Sequence, residues 1–151
     1  MKTTNYEISK KLKEIGFEAE ANFYFAIKNN YEPVPYEILY KSSFKKENIK
    51  YLIPSYDLET LLDALPDSIT REYKSNEDGT IKEFEEKLII SKKEIWYKCY
   101  DIETSDDANE YYREYGYVQN ISIYSWNDSL ANIAGKMLIQ LFEDGIVKFN
   151  K

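Results

Sequence analysis

From Ser129 to Gly145 the chain sets Leu130, Ile133, Ala134, Met137, Leu138 and Leu141 at helical spacing on one face. It is the best-defined element of the sequence. A helix with one apolar stripe needs something to cover that stripe, so this segment dictates a packed domain. Asn127 or Asp128 is expected to cap it, and Gly145 to end it. Gly135, inside it, costs about 1 kcal/mol relative to alanine; that loss suggests a close approach, expected here against a sheet.

The rest of the chain offers shorter pieces. Thr4-x-x-Glu7 has the pattern of a capping box, followed by Ile8, Leu12 and Ile15 on one helical face and Gly16 as the stop. Phe23 to Ile27 and Tyr36 to Tyr40 favour β-structure, and Asn29, Asn30, Pro33 and Pro35 between them make a long hairpin loop. A second helix starts near Ser55 or Asp57, carries the stripe Leu58, Leu61, Leu62 and Leu65, and closes at Pro66. Ile69 to Lys74 reads as a strand ending at the turn Asn76-Glu77-Asp78-Gly79. Phe84 to Ile90 and Ile95 to Tyr100 are close enough for an antiparallel hairpin, with Ile89 facing Trp96. Ile121 to Tyr124 fits a short edge strand. The expectation is one compact α+β domain over residues 1–151: an antiparallel sheet of about five strands with three helices packed mainly on one face.

Composition then removes chemistry. The chain has fifteen tyrosines, one cysteine and no histidine, which rules out Ser-His-Asp and Cys-His catalysis and the usual zinc sites. Cys99 has no partner for an internal disulfide, and its place on a strand marks it as a buried structural thiol. With no apolar run near the ~20 residues of a membrane helix and no targeting segment, the expected location is the cytoplasm. No metal site or cofactor is assigned.

Charge is uneven. The formal net charge is −7. Residues 1–50 hold nine lysines against seven glutamates, including a basic patch at Lys41, Lys45, Lys46 and Lys50, while residues 51–151 hold twenty acids against eleven bases. Such a surface repels phosphate backbones and suits a basic partner.

Three constellations remain. Pro66-Asp67 followed by Glu85-Glu86-Lys87 resembles the PD-(D/E)xK motif of metal-dependent nucleases. The resemblance implies Asp67 and Glu85 as Mg²⁺ ligands and Lys87 as the group that activates water. Glu85 and Lys87 would share one strand face, but no basic DNA-facing surface accompanies them, and a charged edge strand explains them better. The acids Asp101, Glu103, Asp106, Asp107 and Glu110 do not match an EF-hand; Asp106 or Asp107 suits the cap of a short helix. Directly after them, Tyr111-Tyr112-Arg113-Glu114-Tyr115-Gly116-Tyr117 puts four tyrosines into seven residues, with Tyr124 and Trp126 close behind. Too many rings for one core face imply exposure, and tyrosine, tryptophan and arginine are the residues enriched at binding hot spots.

Two stretches, Tyr56 to Pro66 and Ser129 to Leu141 with its Asp144-Gly145 ending, resemble segments of small uncharacterised proteins encoded by bacterial phages and mobile elements. That resemblance implies an accessory role in such a genome. The sequence therefore leads to a non-enzymatic binding protein that inhibits a bacterial defence protein with a basic surface. Its expected binding residues are Asp106, Asp107, Glu110, Tyr111, Tyr112, Arg113, Tyr115 and Tyr117. The alternatives are a homo-oligomeric binder of a nucleotide-like anion and the Mg²⁺ nuclease.

Overall fold

The computed structural model describes residues 3–26, 37–40, 52–99 and 121–149. In order these form α1 (Tyr6–Glu14), β1 (Phe23–Ala26), β2 (Glu37–Tyr40), β3 (Ile53–Ser55), α2 (Leu58–Ala64), β4 (Ser68–Lys74), β5 (Ile81–Ile90), β6 (Glu94–Lys98), β7 (Ile121–Tyr124) and α3 (Leu130–Glu143). The α+β class is as the sequence implies, with three helices and antiparallel strand pairing among the described residues. The single sheet of about five strands is not. The strands form two sheets, ordered β2-β1-β3 and β4-β5-β6-β7. The chain likewise divides into two compact units, residues 1–65 with 125–151, and residues 66–124.

The first unit holds the three described helices and the three-stranded sheet. Its hairpin pairs Phe23 with Tyr40 and Phe25 with Ile38. β3, which the sequence pattern does not announce, pairs on the other side of β1. It is only three residues long and contains Pro54, which lacks an amide hydrogen and is tolerated at a sheet edge.

Both long helices end as glycine predicts. At α1 the Gly16 amide donates to Lys13 and the Phe17 amide to Leu12, with Gly16 at φ 89°. At α3 the Gly145 amide donates to Phe142 and the Ile146 amide to Leu141, with φ 74°. Each is the paired hydrogen bond of a Schellman motif, which satisfies the last carbonyls of the helix.

The helix starts differ from expectation. Asn5, not Thr4, caps α1, its side chain accepting from the Ile8 amide at 3.0 Å. Ser129 caps α3, accepting from the Asn132 amide. Thr4 turns inward instead and is 1% exposed. Its amide donates to the Tyr56 carbonyl at 2.9 Å, and its hydroxyl accepts from the Tyr56 amide at 3.1 Å. The same hydroxyl shares a 2.6 Å hydrogen bond with Ser9. The Thr4 carbonyl accepts from Ser55 at 2.7 Å. One residue later the Asn5 amide donates to Asn132 of α3 at 2.8 Å.

α3 then lies against α1, with Ile133, Ala134, Met137, Leu138 and Leu141 wholly buried beside Leu12. Gly135 serves this contact between helices, not a contact with a sheet: a β-carbon on it would lie 2.6 Å from Ile8 Cγ2 and 3.2 Å from Thr4 Cγ2. Aromatic rings fill the remainder, Tyr6 edge-on to Phe25 and Phe17 edge-on to Tyr56.

Among the described residues, the second unit consists of the four-stranded sheet. β4 and β5 meet at a turn where Ser75 donates to and accepts from the backbone of Thr80 and Gly79. Ile89 stands opposite Trp96, as the sequence predicts, and β7 is an edge strand among the described residues. Ile69, Phe84, Glu86, Ile95, Tyr97, Cys99 and Ile121 are buried. Ser68, Thr70, Glu72 and Lys74 of β4 face solvent with Glu83, Glu85 and Lys87 of β5. Alternation of this kind marks a sheet with one covered and one wet face. Among the described residues, no helix is long and apolar enough to cross a membrane.

Two substitutions test this packing by urea denaturation. Alanine for glycine within a helix normally stabilises by about 1 kcal/mol, but Gly135→Ala is expected to destabilise by about 1–3 kcal/mol through the clash, less than additively with Ile8→Ala. Thr4→Val keeps the side-chain volume and strips the Tyr56 amide and Ser9 hydroxyl of a partner, at an expected cost of about 1–3 kcal/mol.

Candidate functional site

The nuclease-like residues fall on the second unit. Glu85 and Lys87 share the exposed face of β5, as their spacing predicts, opposite Thr70 and Ser68 of β4. Asp67 lies one residue before β4, where its carbonyl accepts from the Leu88 amide at 2.9 Å. Its charge reaches Tyr97, on the buried face. The sheet therefore puts Glu85 and Lys87 on one exposed face, and Asp67 lies next to Ser68, the residue paired with Lys87. Among the described residues, no three acid or thiol side chains gather where they could hold a metal ion.

The residue between Glu85 and Lys87 is the unexpected one. Glu86 is fully buried and takes the Arg71 guanidinium in a two-pronged ion pair. Arg71 also lies over the Tyr73 ring, 5.5 Å from its centroid. The Tyr73 hydroxyl is buried and has no hydrogen-bond partner among the described residues. Burial, followed by the Glu86 carboxylate, pushes this phenol up to about 12. Alternation within β5 carries the signal for the buried acid, because Phe84, Glu86 and Leu88 share one face. A buried pair of this kind holds the two strands in register more than it offers chemistry. Arg71→Met, which strands the Glu86 charge, is expected to cost about 3–5 kcal/mol in urea denaturation, and Arg71→Met with Glu86→Met to recover most of it.

Tyrosine divides between core and surface. Tyr6, Tyr24, Tyr56 and Tyr97 are buried. Burial pushes the Tyr56 phenol up to about 12 against a backbone hydrogen bond from Ala19. The Tyr97 hydroxyl donates to the Pro66 carbonyl at 2.7 Å, and burial with the nearby Asp67 charge raises it strongly. Cys99 is buried, as expected. The binding residues expected from the sequence, Asp106, Asp107, Glu110, Tyr111, Tyr112, Arg113, Tyr115 and Tyr117, lie outside the described residues. Further along the chain, Tyr124 is 51% exposed and Trp126 72%.

A second surface, not foreseen from the sequence, lies in the first unit. α2 is seven residues long, capped by Asp57 accepting from the Thr60 amide at 2.8 Å. Of its four-leucine stripe only Leu61 and Leu65 are buried; Leu58 and Leu62 are half-buried. They line an open groove of about 580 Å³ with Leu130 and Ala131 from the first turn of α3. Asp57, Glu59, Asp63 and Ser129 complete it. Asp128 stands just before this turn, its carboxylate held below the usual range by Lys136 and also accepting from Asn132. The exposed Glu59 and Asp63 sit four residues apart, so like charges face one side of α2. The stripe itself was legible in the sequence; that half of it stays open depends on where α3 lands.

No protein-family model matches the chain, and no curated protein or solved structure is significantly similar to it.

Proposed function

We propose that the chain is a non-enzymatic binding protein that occupies a bacterial protein with a basic surface. Trp126 carries this reading. A large ring left 72% exposed is the side chain most suited to anchoring a partner. It stands, with Tyr124, shortly after the Asp106–Tyr117 run of acids and tyrosines in the sequence. A net charge of −7 would steer basic surfaces toward such rings.

In this reading the chain acts in the cytoplasm as an accessory factor of a phage or mobile element. Its target is a host defence protein whose nucleic-acid groove supplies the positive charge. Occupying that groove blocks it without any catalysis. A net charge of −7, which repels a phosphate backbone, argues against the Mg²⁺ nuclease. Three carboxylates around the described groove argue against capture of an anion there.

The test is affinity purification from bacterial lysate, then titration of the purified partner. Trp126→Ala is expected to weaken binding by about tenfold or more, and the triple change Tyr111→Ala, Tyr112→Ala and Tyr115→Ala to abolish it. Affinity should fall several-fold between about 50 and 300 mM salt. Inhibition of the partner's activity should follow the same order. Binding indifferent to both salt and these rings would overturn the reading.

A further inference from the structure

The groove between α2 and the first turn of α3 has a shape and a charge that together select an occupant. Leu58, Leu62 and Leu130 present apolar surface that the fold leaves half-covered. The groove is open to solvent and, at about 580 Å³, far larger than a single side chain requires. That form suits a polypeptide laid across it better than an enclosed small molecule.

Charge narrows the choice further. Two helix starts meet at the groove, and their amide ends carry roughly half a positive charge each. The caps Asp57 and Ser129 already occupy part of that hydrogen-bonding capacity. Against it stand three carboxylates, Asp57, Glu59 and Asp63, so the local balance is negative. α2 has no basic residue of its own. Among the described residues no cation pairs with Glu59 or Asp63. Like charges four residues apart weaken a helix by a few tenths of a kcal/mol, and a cation bridging them would relieve that cost. Nucleic acid and anionic lipid are both repelled by the same rim.

We infer that this groove receives a basic amphipathic helix of a partner protein. The helix would place leucine-sized side chains between Leu58, Leu62 and Leu130, with Lys or Arg reaching Glu59 and Asp63. This deepens the binding reading by naming the partner's docking element. The two stand or fall separately, because Trp126→Ala in the partner titration concerns the aromatic surface alone.

The experiment titrates a labelled peptide of leucine and lysine, patterned as an amphipathic helix about four turns long, against the full chain by fluorescence anisotropy. A peptide of the same composition with its pattern scrambled, and one with glutamate for lysine, serve as controls. The patterned lysine peptide is expected to bind at least about tenfold more tightly than either. Glu59→Lys with Asp63→Lys is expected to weaken it by about tenfold or more. Glu72→Lys with Glu83→Lys makes the same change of net charge on the exposed sheet face and should alter affinity by no more than about threefold. Hydrogen exchange on the wild-type chain should slow across residues 58–63 and 129–131 when the peptide is bound. Equal losses from both charge reversals, equal binding of the scrambled peptide, or protection elsewhere would each overturn the inference in favour of general attraction to an acidic surface. Preferential binding of the glutamate peptide would overturn it in favour of an anion site. Self-association blocked by Glu59→Lys with Asp63→Lys, without peptide binding, would overturn it in favour of a second copy as occupant.

Discussion

The first unit depends on the burial of Thr4. A threonine at the edge of a helix would ordinarily cap it and remain near water. Here its amide, hydroxyl and carbonyl are all engaged with Ser9, Ser55 and Tyr56. That knot fixes the entry to α1 against β3, and Asn5 carries the connection onward to Asn132 of α3. Polar groups in such a place are tolerated only when each finds a partner. The arrangement is consequently intolerant of small shifts, and it sets the distance at which the helices meet.

Gly135 is required by that distance. With Ile8 and Thr4 so near, a side chain at this position has nowhere to go. The helix gives up some intrinsic stability there and gains close contact along Leu12, Ile133, Met137 and Leu138. Leu61 and Leu65 are buried, while Leu58 and Leu62, beside the first turn of α3, stay half open. The groove lies between α2 and the start of α3, and the acids along α2 give it a sign.

The second unit is governed by alternation. β5 looks uniformly charged through Glu83, Glu85, Glu86 and Lys87, yet one of these four points inward and is neutralised by Arg71. A motif read along the chain groups Glu85 with Asp67 and Lys87. The pleat instead puts Glu85 and Lys87 on one side and Glu86 on the other.

Much of this is legible in particular residues of the sequence. The apolar spacing of α1, α2 and α3, the stops at Gly16 and Gly145, the turn at Gly79 and the pairing of Ile89 with Trp96 all depend on neighbours within a few residues, or on a hairpin too short to choose another register. Periodicity and left-handed glycine are local physics, so the sequence by itself determined them, along with the absence of histidine chemistry and the acidic charge. Tertiary structure decided the rest. β3 is too short and too proline-bound to show a pattern, and its pairing with β1 completes a sheet of its own. Thr4 gave up its expected capping role because partners fifty residues away offered it more hydrogen bonds than the helix end did. The fates of Glu86 and of the leucines on α2 likewise rest on contacts between elements, and no local pattern records which face of a segment another segment will come to cover.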